Sequence, residues 1–415
     1  GSIKKLFTET DDKWIDTDNV TIEFLADNSF LWASERDGNR HLYWYNEDGS
    51  LKKQVTKGNW EVTDYYGYNP KTNEIFVQTT ENGSTNKVVS KININTGKSK
   101  LLSNKSGNNA ANFSKNYNYF IETSSSATQP FSYVLKDEAG KTLQELQNNN
   151  EQLQKLNKDN FVSKEYFTVP NEVGDQMNAW ILKPKNFDPN KKYPLFMFQY
   201  SGPGSQQVSN SWDIGNTLWF NLLVQKGYVV ACVDGRGTGF KGTKYKKVTY
   251  KNLGKYEIED QIAAAKWFGK QSYINKDRIG IFGWSFGGYM ASLAMTKGAD
   301  VYKIGIAVAP VTNWRFYDSV YTERFLLTPQ ENPTGYDDNS PTNFAKLLKG
   351  KFLLIHGTAD DNVHFQNSMI FSEALIQQKK QFDFMAYPDK NHGIYGGQTR
   401  PQLYQKMTDF ILENL

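Results

Sequence analysis

The sequence predicts an α/β fold with a mostly parallel, doubly wound sheet over residues 161–415, preceded by an all-β region over residues 1–160. Two observations predict this division. Before about residue 160, apolar and aromatic runs alternate with polar turns at short spacing, which is typical of antiparallel β-structure. After it, apolar strand-like runs alternate with helix-compatible stretches, which is typical of a parallel sheet covered on both faces.

The composition is that of a globular protein with large cores. The chain has 415 residues, 38% hydrophobic and 22% charged, with a net charge of +4 from scattered lysines. We therefore expect no nucleic-acid partner. No apolar stretch is long enough for a membrane span. The single cysteine, Cys232, lies in an apolar run and excludes an intrachain disulfide. No signal peptide is visible, and Gly1-Ser2 is typical of residues left by cloning, so we expect the natural chain to begin earlier.

The β-rich region repeats a hairpin layout. Strand-like runs at 30–34, 41–45 and 51–55 are joined through Asp37-Gly38 and Asp48-Gly49. Asp-Gly between strand-like runs is a strong hairpin signal. Similar groups of strands follow at a spacing of about 45 residues, which is the length of a propeller blade. We predict about three blades of a truncated β-propeller, with the tail of a fourth near Trp14. A small β-sandwich is the alternative.

The second region predicts the elements of an open α/β sheet. A hairpin is expected over 165–169 and 178–183. Buried strands are expected at 195–200, 228–234, 279–282, 304–309, 352–355 and 382–387, and helices at 218–226, 255–270, 368–378 and 403–412.

One stretch carries a catalytic signature. The apolar run 279–282 continues into Gly283-Trp284-Ser285-Phe286-Gly287, and a helix-compatible segment begins at once after it. Strand, sharp turn and helix around Gly-x-Ser-x-Gly form the nucleophile elbow of α/β-hydrolases. The glycines are required because strand and helix approach closely at the turn. Ser285 is therefore the predicted nucleophile, and the fold class is predicted to be an α/β-hydrolase.

The order of residues in this fold, serine, then acid, then histidine, selects the partners. Of the four histidines, His41 lies in the β-rich region and His356 precedes the candidate acids. His392 lies in a loop after the strand-like run 382–387, where catalytic groups gather, and we predict that it is the general base. His364 is interpreted as structural. Asp360 and Asp361 both follow the run 352–355, and spacing does not choose between them.

Several long motifs carry a family resemblance. They are GWSFGGY at 283–289, HGTADDNVHF at 356–365, NHG at 391–393, YSGPGSQ at 200–206, DGRGTG at 234–239 and YDSVYTER at 317–324. Together they resemble the dipeptidyl peptidase IV branch of the prolyl oligopeptidase family. The resemblance covers nearly everything after residue 161 and reaches more weakly into the β-rich region, for example at 58–62.

The resemblance implies roles for individual residues. The triad would be Ser285, Asp360 and His392, with the Tyr200 hydroxyl and the Phe286 N–H as oxyanion donors. Asn362 would hold a substrate carbonyl. The remaining residues would line, with Phe286, an apolar pocket for the residue before the scissile bond: Val311, Trp314, Tyr317, Tyr321 and Val363.

The implied activity is that of a serine peptidase that releases N-terminal X-Pro dipeptides, or dipeptides with alanine second, through an acyl-enzyme. The implied partners are peptides with proline at the second position, and a homodimer is possible. No metal or organic cofactor is expected. Relatives in bacteria suggest a periplasmic, surface-associated or secreted location.

Three alternatives stay open. A prolyl tripeptidyl peptidase or oligopeptidase belongs to the same family. A carboxylesterase shares the fold, although Tyr200-Ser201-Gly202-Pro203 stands where a His-Gly-Gly-Gly loop is usual. The third alternative is a catalytically inactive fragment.

One departure from the family pattern concerns the substrate's amino terminus. Enzymes of this branch bind that amine with two neighbouring glutamates on the propeller, and this chain contains no Glu-Glu pair. Its β-rich region is also too short for a closed propeller, which usually has about four to eight blades. We expect the amine-binding part to lie outside this chain and dipeptidyl peptidase activity to be weakened.

Overall fold

A computed structural model describes residues 3–17, 21–213 and 215–415, so Gly1 and Ser2 lie outside the described residues. The chain divides into two compact units. Unit 1 comprises Gly1–Asp159, Ser209–Asp213 and Gly239–Lys246. Unit 2 comprises Asn160–Val208, Ile214–Thr238 and Lys247–Leu415. Ser209–Asp213 and Gly239–Lys246 lie in the predicted α/β region of the sequence but belong to unit 1. The strand and helix pattern did not predict this.

The described part of unit 1 contains three four-stranded antiparallel sheets. This confirms the prediction of about three blades before a hydrolase domain. The first sheet is β1 Ile22–Phe24, β2 Phe30–Ser34, β3 His41–Tyr45 and β4 Leu51–Gln54. The second is β5 Val62–Asn69, β6 Glu74–Thr79, β7 Val88–Asn93 and β8 Ser99–Leu101. The third is β9 Asn108–Phe113, β10 Tyr119–Ser126, β11 Gln129–Asp137 and β12 Thr142–Gln147.

Residues 3–17 form no helix or strand, so the structure does not support the predicted tail of a fourth blade near Trp14. Helix α1, Asn150–Lys158, follows the third sheet. It corresponds to the polar stretch between the two predicted regions.

The three sheets pack face to face through two apolar cores. Leu31 and Trp44 of the first sheet and Ile75 and Val77 of the second belong to one buried cluster. Phe76 and Phe120 belong to another, which joins the second and third sheets. Neighbouring strand residues such as Ile75 and Phe76 point to opposite faces, because side chains alternate along a strand. Each sheet in the series therefore buries apolar side chains against the next, as propeller blades do.

Unit 2 is built around one eight-stranded sheet in the order β13-β14-β16-β15-β17-β18-β19-β20. Its strands are β13 Glu165–Pro170, β14 Gln176–Leu182, β15 Tyr193–Phe198, β16 Val229–Asp234, β17 Ile274–Trp284, β18 Ile304–Val308, β19 Lys351–Gly357 and β20 Asp383–Tyr387. β13 and β14 pair antiparallel at one edge, and the strands from β16 to β20 in the sheet are parallel. The predicted mostly parallel sheet is confirmed.

Helices cover both faces of this sheet. The helices of unit 2 are α2 Gly215–Gln225, α4 Lys255–Gly269, α5 Phe286–Thr296, α6 Ser319–Leu326, α7 Pro333–Asp337, α8 Gln366–Gln377 and α9 Thr399–Asn414; the short α3, Thr243–Lys246, belongs to unit 1. Phe282 of β17 packs in a core with Trp219 of α2 and Phe410 of α9. On the other face Gly305 leaves room for Met295 of α5. The sheet is therefore doubly wound.

The parallel strands place the predicted site residues at one edge of the sheet. Tyr200, Ser285, Asp360 and His392 follow the carboxyl ends of β15, β17, β19 and β20. In open α/β sheets this is the edge at which ligands bind.

None of the helices in the described ranges is both long enough and apolar enough to cross a bilayer.

Unit 1 buries a lysine that lacks a hydrogen-bond partner within the described part of the chain. Lys87 is 6% exposed, and its ammonium lies 3.0 Å from the centroid of the Phe240 ring. Burial lowers the pKa of Lys87 to about 7, although the nearby carboxylate of Glu61 opposes this shift. Lys87 therefore titrates at lower pH in the folded protein than in the unfolded chain.

We predict that unit 1 becomes more stable as the pH rises from 7 to 9. In this range the unfolded chain keeps the lysine protonated while the folded unit releases the proton, so unfolding takes up protons and becomes less favourable. Lys87→Met should remove most of the increase. The measurement is the urea concentration at which unit 1 is half unfolded at pH 7, 8 and 9. Unfolding is detected through the hydrogen exchange of β5–β8. Lys100→Met, at an exposed position, is the control and should keep the wild-type slope.

Candidate active site

The predicted nucleophile lies on a strained turn between β17 and α5. Ser285 has φ 61° and ψ −120°, a backbone conformation that is uncommon for a residue with a side chain. The turn is held because the Ser285 N–H donates to the Val308 carbonyl at 2.8 Å and the Ser285 carbonyl accepts from Tyr289 at 3.0 Å. Strain of this kind persists only where the surrounding structure determines it.

The glycines of the motif are required by close approach. A Cβ on Gly283 would overlap the backbone of Gly287, and a Cβ on Gly287 would lie 2.6 Å from the Gln199 carbonyl oxygen. Gly288 is similarly restricted, since its Cβ would lie 2.7 Å from the Val308 carbonyl oxygen. The strand, the turn and the helix can therefore meet at Ser285 only without these side chains.

The acid and the base are in contact. Asp360 Oδ2 lies 2.7 Å from His392 Nδ1. Asp360 is 5% exposed, and its Oδ1 accepts from the backbone N–H groups of Asn362 at 3.0 Å and Val363 at 2.9 Å. Burial alone would raise the pKa of Asp360, but hydrogen bonds from His356 and His392 hold it well below its usual range. Asp361 is exposed. The structure thus places the first carboxylate of the pair against the histidine.

Sequence reasoning missed a second histidine at this carboxylate. His356 is fully buried, and its Nε2 lies 3.1 Å from Asp360 Oδ2 and 2.8 Å from the Val363 carbonyl oxygen. Because a carbonyl only accepts, the Nε2 carries the proton, and Nδ1 pairs with the Ser368 hydroxyl at 2.7 Å. The available signal was its place at the end of β19, four residues before Asp360.

The two predicted oxyanion donors lie beside Ser285. Burial raises the pKa of Tyr200, and a hydrogen bond with the Ser285 side chain opposes this rise. The phenol therefore stays protonated at neutral pH and can donate. Phe286 is the first residue of α5, so its N–H has no acceptor within the helix. The Tyr200 and Phe286 rings are 6.0 Å apart.

A nucleophile and its general base are expected to share a hydrogen bond. Ser285 and His392, both of which the structure describes, form none with each other. Hydrogen bonds of this kind are often long in the absence of substrate. The two loops are instead joined through Trp284, whose Nε1 donates to the His392 carbonyl at 3.0 Å. The indole before the serine therefore positions the main chain of the histidine loop.

The predicted aromatic pocket residues form one cluster around Trp314, which is 1% exposed. Its ring lies 5.5 Å from Phe286, 5.8 Å from Tyr317 and 5.9 Å from Tyr321. Tyr289 of α5 also contacts Trp314, at 5.3 Å, and was not predicted. Trp314, Phe286 and Tyr289 are buried, whereas Tyr317 and Tyr321 keep partial exposure.

The remaining predicted residues lie around this cluster. Val311 and Val363 are buried, Val311 after β18 and Val363 beside Asp360. The Tyr317 hydroxyl donates to Asn362 Oδ1 at 2.7 Å. Burial, with the charges of Asp318 and Asp360, raises the pKa of Tyr317 to about 12. Nucleophile, base, acid, oxyanion donors and an apolar pocket are the groups that acyl transfer requires.

Comparison with known proteins covers both units. Residues 216–415 match the prolyl oligopeptidase family, and residues 1–131 match the dipeptidyl peptidase IV N-terminal region. A probable dipeptidyl-aminopeptidase B from Arthroderma otae is 33% identical and aligns with 97% of this chain and 45% of its own length. One from Chaetomium globosum is 36% identical over 91% of this chain and 41% of its own length. The chain thus spans less than half the length of these curated relatives.

Solved structures agree with this assignment. The crystal structure of Porphyromonas gingivalis dipeptidyl peptidase 4 superposes with a TM-score of 0.91 at 44% identity, over 95% of this chain and 56% of that one. A putative dipeptidyl aminopeptidase IV from Bacteroides ovatus gives a TM-score of 0.87 at 29% identity, over 95% of this chain and 58% of that one. The chain therefore belongs to the prolyl oligopeptidase family, in its dipeptidyl peptidase IV branch.

Proposed function

We propose that this chain carries the catalytic centre of a serine dipeptidyl peptidase that cleaves after proline at the second position of a peptide. The observation that carries the proposal is the 2.7 Å hydrogen bond between buried Asp360 and His392, at the sheet edge that holds Ser285. The names of the relatives, dipeptidyl-aminopeptidase and dipeptidyl peptidase, support the release of dipeptides.

In this mechanism Ser285 Oγ attacks the scissile carbonyl carbon while His392 Nε2 takes the hydroxyl proton. The ionised Asp360 holds His392 Nδ1 as the donor tautomer and stabilises the imidazolium. The carbonyl oxygen becomes an oxyanion, which receives hydrogen bonds from the Tyr200 hydroxyl and the Phe286 N–H. The tetrahedral species collapses to an acyl-enzyme when His392 gives its proton to the leaving amine. Water then repeats the sequence and releases the dipeptide.

The aromatic cluster supports a preference for proline before the scissile bond. Trp314, Tyr317, Tyr321 and Phe286 offer a rigid apolar surface whose rings are fixed by contact with one another. A proline ring is compact, has a fixed φ and has no N–H to satisfy, so it loses little on entering such a pocket. A longer side chain would collide with these fixed rings, and a polar one would be buried without a hydrogen-bond partner.

We predict that a fluorophosphonate probe labels this protein at Ser285. An assembled elbow and base activate the hydroxyl, so labelling should be abolished in Ser285→Ala. The readout is the mass increase of intact protein and the identity of the modified peptide. Labelling of a different residue, or none in a folded sample, would contradict the proposed nucleophile.

A second prediction separates the two neighbouring aspartates. Asp360→Asn should lower kcat by about 10⁴-fold, because the amide cannot hold the donor tautomer or balance the imidazolium. Asp361→Asn is the matched control and should change kcat by less than about threefold, since its side chain is exposed. Steady-state kinetics on a Gly-Pro anilide would measure both. Comparable losses in the two variants would argue against the assignment of Asp360.

A third prediction concerns the substrate. Gly-Pro anilide should be cleaved with a kcat/KM about 10- to 200-fold higher than Gly-Leu anilide, as expected when one pocket discriminates by shape. N-acetylation of Gly-Pro anilide reports recognition of the substrate's amine, and it is tested on a longer form of the protein because the amine-binding glutamates are expected to lie outside this chain. A loss on acetylation would agree with a dipeptidyl peptidase, whereas unchanged turnover would favour the oligopeptidase alternative.

A further inference from the structure

Arg400 is an arginine without an acidic partner that lies close to the histidine loop. It is the second residue of α9, and its guanidinium carbon lies 4.8 Å from the centroid of the Trp284 ring and 4.2 Å from that of Tyr395. Its Nε is buried and has no hydrogen-bond partner among the residues that the structure describes. Nor does any described carboxylate form an ion pair with it. A guanidinium is a planar fork of N–H donors that matches a carboxylate, so the donors on its two terminal nitrogens are available to a ligand.

The surroundings of Arg400 add positive potential. It lies in the first turn of the 16-residue helix α9, which contains no acidic residue in that turn. The amino end of a helix carries partial positive charge, so a cation there is disfavoured unless an anion accompanies it. The Lys390 ammonium lies beside Gly396, four residues before Arg400, so the loop that leads into α9 holds a second cation. The local field therefore favours an anionic group.

The position of Arg400 indicates which part of a substrate it meets. The indole on which it stacks is the one whose Nε1 donates to the His392 carbonyl. His392 passes its proton to the leaving amine, so the leaving peptide passes on the His392 side of Ser285. The aromatic cluster around Trp314 takes the acyl side. Arg400 therefore borders the path of the leaving peptide.

We propose that Arg400 binds a carboxylate on the leaving portion of the peptide substrate and so favours acidic sequences after the scissile bond. This inference rests on the proposed peptidase function. The carboxylate has two sources, an Asp or Glu side chain shortly after the scissile bond or the terminal carboxylate of a short peptide. The guanidinium fork would bind either, with Trp284 and Tyr395 holding its plane in place.

The test compares peptides that differ only in charge after the scissile bond. Gly-Pro-Asp-Gly-amide and Gly-Pro-Asn-Gly-amide report the side-chain source, and the Asn peptide with a free carboxyl terminus reports the terminal source. We expect kcat/KM to be about fivefold higher for at least one of the two carboxylate peptides, as for a partly exposed charged pair. The ratio should approach one in Arg400→Gln and stay intermediate in Arg400→Lys, which keeps the charge without the fork. Ratios are taken within each enzyme, so that a general loss of activity cancels.

Lys349→Gln makes the same change in net charge just before β19, at the opposite end of the parallel strands, and should keep the wild-type ratio. A wild-type ratio near one for both carboxylate peptides would overturn the inference. So would a wild-type preference that persists in Arg400→Gln. If wild-type protein does not cleave Gly-Pro anilide at all, the proposed function fails and the inference fails with it. Turnover of the anilide without discrimination among the peptides overturns the inference alone.

Discussion

The buried carboxylate of Asp360 is the constraint on which the site depends. A charge removed from water is costly unless hydrogen bonds replace its hydration, and this carboxylate receives them from two backbone N–H groups and two histidines. The need to satisfy one ion therefore sets the conformation of the loop after β19. Val363 takes part twice, because its N–H donates to Asp360 and its carbonyl accepts from His356. The hydrogen bonds that keep Asp360 ionised therefore also hold Val363, a residue of the predicted substrate pocket, in place.

Close packing at the elbow is the second constraint. Ser285 keeps an unfavourable backbone conformation because the strand before it and the helix after it are themselves buried, and its own N–H and carbonyl are bonded. The glycines on either side allow the backbones to approach within contact distance. The Ser285 hydroxyl therefore lies at the carboxyl edge of the sheet, with the Tyr200 phenol and the first N–H of α5 beside it.

The two sides of Ser285 differ in chemistry. On one side Trp314 and the rings around it form an apolar surface, which suits a compact residue before the scissile bond. On the other side the Arg400 guanidinium, near the amino end of α9, stacks on the Trp284 ring. Aromatic rings serve both sides in different ways, as walls in the first case and as a flat support for a cation in the second. Under the proposed function, this asymmetry would give the site a direction along the peptide.

The sequence by itself determined the two regions, the parallel sheet, the elbow and the candidate partners of Ser285. Those features depend on local periodicity and turn chemistry, so predicted runs such as 304–309 fall within a residue of β18, Ile304–Val308. Short or polar strands such as β8 and β12 were missed, because they lack an apolar pattern. Spacing left Asp360 and Asp361 open and the family resemblance implied Asp360, and the tertiary structure shows Asp360 in contact with His392 while Asp361 is exposed. Only the tertiary structure decided that His356 also contacts the acid and that Arg400 stacks on Trp284. Such outcomes depend on side-chain direction and desolvation between residues far apart in the chain, which neither spacing nor composition records.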